Sequence, residues 1–273
     1  MDGINFIKMH GLGNDFVILD LRAQNLDLSK KAVRVLSERR TGIGFDQLIT
    51  IQKAKSSQID ASIRIWNADG GEVFACGNAV RCVGYLLLLE TGKDKVKIET
   101  EADILDVMGK DQSRIMVNMG EPKLDWSDIP LSVETDTLSL DISVEGLNNP
   151  VCVSMGNPHA VFFVDQLDDI DLESIGPKIE HHKIFPERAN VSLVKIKNLD
   201  DISLRVWERG VGVTSACGTA ACAAVVAGVR RGFLSRSVSV NLDGGSLEIE
   251  WRSLDNHVIM TGPVATSFRG TLV

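Results

Sequence analysis

The sequence predicts an α+β fold built as two similar lobes about an approximate two-fold axis. Three observations carry that expectation. Short β-branched or alternating runs outnumber helical patterns, which favours antiparallel pairing. The phrase "WNADGGEVFACGN" at 66–78 nearly recurs as "WERGVGVTSACGT" at 207–219. The distance between the copies is about half the chain, so each half carries one.

The elements follow in order. "INFIKM" (4–9) and "DFVILD" (15–20) read as strands joined by "HGLGN". Ser29 to Arg40 reads as a helix, capped by Ser29 and stopped by Thr41-Gly42. "DQLITIQ" (46–52) and "ASIRIW" (61–66) are alternating strands. A helix from Asn78 to Thr91 follows Cys76-Gly77 and stops at Gly92, and "RIMVNM" (114–119) follows as a strand. "GEPKLDW" (120–126) then breaks the pattern. The lobes are therefore expected as 1–122, with 264–273 returning to it, and 123–263. The second half runs through strands "VCVSM" and "AVFFVD" (151–165) to a helix from Asp171 to His181. Strands "NVSLVKI" and "ISLRVW" (190–207), a helix from Thr219 to Arg231, and "VSVNL", "SLEIEW" and "HVIMTG" (238–262) complete it.

The repeat is more than a phrase. Residues 63–79 set against 204–220, a gapless offset of 141, share seven identities in 17 positions, among them Trp66/Trp207, Ala75/Ala216, Cys76/Cys217 and Gly77/Gly218. An offset of 143 superposes Asn14 on Asn157 and Gln47 on Asn190.

Composition narrows the function. A net charge of -8 with no Lys/Arg-rich block argues against nucleic acid and anionic membrane as partners. The acidic stretch Asp165–Glu173 is interleaved with Ile and Leu and reads as a solvated surface. The first residues lack a signal-peptide pattern, and no apolar run could span a bilayer. Five cysteines, an odd number, suit free thiols in a reducing cytosol.

The chemistry lies in the duplicated turn. Each Ala-Cys-Gly puts a cysteine at the start of a helix, where unpaired N–H groups and the helix dipole favour a thiolate. Gly77 and Gly218 let a ligand approach the backbone, and their amides can donate to an anion. One turn supplies a base and half of a carboxylate site. Two facing turns supply a base and an acid on opposite sides of one α-carbon, as racemisation or epimerisation requires. Cys82 and Cys222 fall inside the helices and read as core. No metal-ligand spacing and no Walker loop appear, and "GLGND" precedes a strand instead of a helix, against dinucleotide binding. His181 and His182 read as surface residues.

With these residues in view, the sequence resembles the diaminopimelate epimerase family. Its motifs stand here as "KMHGLGNDF" (8–16), "NADGGEVFACGN" (67–78), "MGNPH" (155–159) and "ERGVGVTSACGT" (208–219), in family order. The resemblance implies two lobes, each a curved mixed sheet around a central helix, with the active site in the cleft between them. It implies interconversion of LL- and meso-diaminopimelate in lysine and peptidoglycan-precursor synthesis, with no cofactor, no metal, a cytoplasmic setting and a homodimer. Cys76 and Cys217 would be the two acid/base residues. Gly77, Asn78, Gly218 and Thr219 would hold the reacting carboxylate. Asn14, Gln47, Asn67, Asn157, Asn190, Glu208 and Arg209 would bind or orient substrate, and His159 and Glu208 would help set cysteine protonation. The chemistry is consistent: a doubly zwitterionic substrate needs ammonium acceptors and carboxylate donors. Three positions depart from the family: Ala79 and Ala220 replace frequent glycines, and Val213 stands where an acidic residue is common.

The expected mechanism is a two-base proton transfer in which one cysteine starts as thiolate and the other as thiol. Its nearest rival is a proline or hydroxyproline racemase-like epimerase. A phenazine-type isomerase shares the fold without needing both thiols, and a non-catalytic amino-acid-binding protein would leave the duplicated cysteine unexplained.

Overall fold

Runs whose alternate side chains can be buried become strands. A computed structural model of the chain describes residues 3–272 apart from 25, 27 and 75. Ala75, paired with Ala216 in the repeat, thus lies outside the described residues. The chain divides into two compact units, residues 1–118 with 262–273, and 119–261.

In the first unit, β1 (Asn5–Gly11) and β2 (Asn14–Asp20) form an antiparallel hairpin with Gly11 opposite Asn14. The two loop residues, Leu12 (φ 56°) and Gly13 (φ 84°), are both left-handed, as the tight turns that match strand twist require. Helix α1 (Lys30–Ser37) makes the crossover to β3 (Gln47–Gln52), which runs parallel to β2. β4 (Ala61–Asn67) returns antiparallel to β3, placing Asn67 opposite Gln47. A short β5 (Glu72–Val73) folds back on β4 and leads to α2 (Gly77–Thr91). β6 (Lys95–Glu99) is parallel to β4, and β7 (Ile104–Met108) and β8 (Ile115–Asn118) follow antiparallel. The final strand of the chain, Ala265–Thr271, pairs with β1.

After a small hairpin of β9 (Ser143–Val144) and β10 (Leu147–Asn148), the second unit repeats that order. β11 (Val151–Ser154) and β12 (Pro158–Phe163) are antiparallel, and α3 (Leu172–Glu180) crosses over to β13 (Asn190–Asn198), parallel to β12. β14 (Asp201–Glu208) and a short β15 (Gly212–Thr214) precede α4 (Gly218–Arg230). β16 (Ser237–Leu242) is parallel to β14, and β17 (Gly245–Trp251) and β18 (Val258–Gly262) are antiparallel. The α+β class expected from the sequence is therefore observed, with one topology used twice.

Each unit encloses one helix. α2 packs against β1, β6, β7 and β8, and α4 against β11, β12, β13 and β17. Both are apolar nearly all round, the pattern of a helix inside a core. Cys82 and Cys222 are fully buried there. Close packing needs small residues: a Cβ on Gly84 would stand 2.4 Å from Val107 Cγ1. The helix starts match the sequence signals. Ser29 Oγ accepts from Ala32 N at 3.2 Å, Asp171 accepts from Ser174 N at 3.2 Å, and Gly92 ends α2 with φ 67°. One end differs: α1 stops at Ser37 instead of Arg40, because Glu38 turns to extended backbone and Arg39 reaches out to two carboxylates. Seven strands fall outside the expected runs: β5, β6, β7, β9, β10, β15 and the final Ala265–Thr271. Among the described residues, no helix is long and apolar enough to cross a membrane.

Candidate active site

The two Ala-Cys-Gly turns become the N-termini of the two enclosed helices. Cys76 and Cys217 are the cap residues, both extended (φ -151° and -134°) and neither bonding back as a side-chain cap. Their carbonyls open the helical ladders, accepting from Val80 N and Ala221 N. The amides of Gly77 and Asn78, and of Gly218 and Thr219, precede those bonds and lie outside the ladders, directed out of the helix starts. Ala79 and Ala220 continue straight into helix.

In the first unit, Asn14 stands beside Cys76 and the strand register pairs Gln47 with Asn67. Asn14, leaving the hairpin turn, puts Oδ1 3.9 Å from the Cys76 sulfur and 3.3 Å from Asn78 Nδ2. Gln47 Nε2 donates to Asn67 Oδ1 at 3.0 Å across the β3–β4 pair. Gly11 must be small here, since its Cβ would meet Asn78 and lie 3.0 Å from Nη2 of the fully buried Arg81. Cys76 itself is half-buried.

In the second unit Thr219 and Glu208 stand beside Cys217, Asn157 and His159 follow through Thr219, and Asn190 is linked to Arg209. His159 pairs with Asn190 across the parallel β12–β13 strands. Asn157 donates to Thr219 Oγ1 at 3.4 Å and accepts from His159 Nε2 at 2.9 Å. Asn190 Oδ1 accepts from the Arg209 amide at 2.9 Å, which fixes the turn carrying Arg209, whose side chain is exposed and donates to Glu187 O. Thr214 Oγ1 donates to Glu208 Oε1 at 2.5 Å. Burial, helped by the Arg209 charge, pushes His159 down to about 3, so the ring is neutral.

One expectation is corrected. A helix start was expected to lower each thiol's pKa, yet Cys217 is raised well above 9. Burial is the main cause, and the Glu208 carboxylate, which accepts from the thiol, adds to it. A donated bond from Thr219 and one from the Ala220 amide pull the other way but do not win. Cys217 rests as a thiol.

The structure also brings in residues that sequence reasoning missed. Asp46 precedes Gln47 and accepts from Asn14 Nδ2 at 3.1 Å. Asp46 belongs to a cluster with Lys8, Asp15 and Arg39. Arg39 and Lys8 outweigh burial and hold the Asp15 carboxyl well below the usual carboxylate range. Glu180 is buried and accepts from Trp207 Nε1 at 2.6 Å and Gly210 N at 3.0 Å, bracing the turn after Glu208. Asp46 sitting next to a repeat-matched glutamine was the available signal; Glu180, on α3, offered none. No group of three His, Cys, Asp or Glu stands among the described residues where a metal ion could be held.

The chain is similar to known proteins in sequence and in fold. The family described as "Diaminopimelate epimerase" matches residues 6–124 and 151–267. A diaminopimelate epimerase of Acidiphilium cryptum is 51% identical over 267 residues, covering 98% of this chain and 95% of its own. One from Phenylobacterium zucineum is 49% identical, covering 99% and 98%. Among solved structures, a PhzF-family phenazine biosynthesis protein of Bacillus anthracis superposes with a TM-score of 0.69 at 18% identity over both whole chains. A hydroxyproline epimerase of Agrobacterium vitis reaches 0.70 at 16% identity, over 100% of this chain and 94% of its own. At such identities these two share the fold.

Proposed function

Because the chain belongs to the diaminopimelate epimerase family, we propose that it interconverts LL- and meso-diaminopimelate by passing a proton between Cys76, Cys217 and the substrate α-carbon. The observation that carries this reading is the pair of cysteine-capped helices in equivalent places of two units with one topology. The amides beside each cysteine suit the reacting carboxylate, and their fixed dipoles would stabilise charge gathering on it as the α-proton leaves. Glu208 and the side-chain carbonyls of Asn14, Asn67 and Asn157 suit ammonium groups, and Arg209 suits a carboxylate.

Cys217 is held as thiol by burial and Glu208, which suits the acid role in one direction, with Cys76 as the base. In the reverse direction the roles exchange. Neutral His159, bound to Asn157, would hold that amide in place beside the helix start. Chemistry of this kind uses no cofactor, and the family resemblance further suggests a cytoplasmic homodimer.

The test is single replacement. Cys76→Ala and Cys217→Ala should each lower epimerisation by about a thousandfold or more, within the range general acid–base groups supply. Wild-type rates in either variant would exclude the two-thiol scheme.

A further inference from the structure

Resting on that assignment of Cys76, we infer that Asp46 is a positioning residue acting on Cys76 through Asn14: it fixes the direction of the Asn14 amide so that the carbonyl oxygen faces the sulfur. An ionised carboxylate only accepts hydrogen bonds, so whatever end of the amide meets Asp46 must be the NH2 end. Asp46 Oδ2 takes Asn14 Nδ2 at 3.1 Å, and Asn14 Oδ1 is thereby turned to Cys76 Sγ (3.9 Å) and Asn78 Nδ2 (3.3 Å).

Asp46 is itself held. Its Oδ2 also accepts from the Asp15 amide at 3.0 Å, and its Oδ1 accepts from Arg39 Nη2 at 2.7 Å. Arg39 forks onto Asp15 at 2.8 and 2.9 Å, and the buried Lys8 amine binds the same carboxylate and the Gly44 carbonyl. Asp46 N donates back to Asp15 Oδ1 at 2.9 Å. Arg39 bridges both carboxylates, and the amide cannot turn over without facing oxygen to oxygen.

The other unit has no such device. The offset of 143 sets Asp46 against Ala189, and there Asn157 turns its NH2 toward the helix start, donating to Thr219 while accepting from His159. The two cysteine turns therefore meet opposite ends of equivalent amides. An acceptor beside Cys76 holds its proton when it is a thiol and offers nothing to a thiolate, so the amide direction sets the pH at which Cys76 ionises. Ionisable groups on the elements packed here include Arg81 and Cys82 on α2, Lys8 and His10 on β1, Asp15 on β2, and Arg39.

The test measures alkylation of Cys76 by iodoacetamide against pH, read by mass spectrometry of the labelled peptide, which needs no turnover. In Asp46→Asn the Asn14 amide is free to turn its NH2 to the sulfur, and the midpoint should fall by about one pH unit. In Asn14→Ala, adding Asp46→Asn should leave the midpoint in place. A rise or no change in the first comparison overturns the inference. An equal fall in both backgrounds also overturns it, because Asp46 would then act by its charge alone. If Asp46→Asn fails to fold, Asp46→Ser, which keeps an acceptor for the Asp15 amide, is read the same way. Loss of epimerisation in the cysteine variants, or its absence altogether, leaves these midpoints readable.

Discussion

His159 Nε2 lies 2.9 Å from Asn157 Oδ1, and the Asn157 NH2 is already given to Thr219. The ring must therefore donate from Nε2 and carry no proton on Nδ1, which is buried without a partner. An imidazolium would strand a second N–H in the core. This pair sets the neutral tautomer.

The first prediction concerns pH and stability. Folded His159 titrates at about 3 against about 6.5 in an unfolded chain. A depressed value means the unfolded state takes up the proton first as pH falls. The stability held above pH 6.5 is then lost below it, down to the folded value, amounting to roughly 2 kcal/mol at pH 5. Urea titrations of wild type and His159→Gln at pH 7 and pH 5 measure it. The wild type should lose about that much more than the variant.

Burial and then Glu208 keep Cys217 protonated, so Glu208→Gln should make it a better nucleophile. The variant should alkylate at Cys217 several-fold faster than wild type at pH 8, because removing the neighbouring charge lowers the thiol's pKa. Quantitative peptide mapping reads the rate. An unchanged or slower rate would show that burial alone governs the thiol.

Gly84 packs α2 against β7, and Gly84→Ala should destabilise the protein by about 1–3 kcal/mol through the clash with Val107. Val107→Ala opens the same space. Denaturant titration of the double variant should show less than the sum of the two losses.

Glu180→Ala would strip the half-buried Trp207 indole and the Gly210 amide of their acceptor at once. A loss of about 3 kcal/mol is expected, together with a raised KM, since the braced turn carries Glu208 and Arg209. Activity assays on the folded fraction separate the two effects.

Much of this was legible in the chain. Ser29, Asp171 and Gly92 announced helix ends because caps act through neighbouring residues. The repeat put Cys76 and Cys217 at equivalent helix starts, and pairing Gln47 with Asn190 anticipated a shared register. What stayed hidden depends on long-range contacts. Arg39 reads as helix until Asp15 and Asp46 draw it away, β6 is only five residues in which Lys and Glu alternate with Val and Ile, and Glu180 finds Trp207 only after α3 docks. The Cys217 thiol reversed a local expectation because burial beside Glu208 outweighs the helix terminus.

Proton traffic at the α-carbon is the most direct measurement. Reduced protein in D2O with LL-diaminopimelate, followed by proton NMR, should lose the α-proton signal as deuterium enters and meso product forms. L-Proline and hydroxyproline alongside should keep theirs. Retention of the α-proton in diaminopimelate, with all thiols free, would contradict the two-thiol epimerase account.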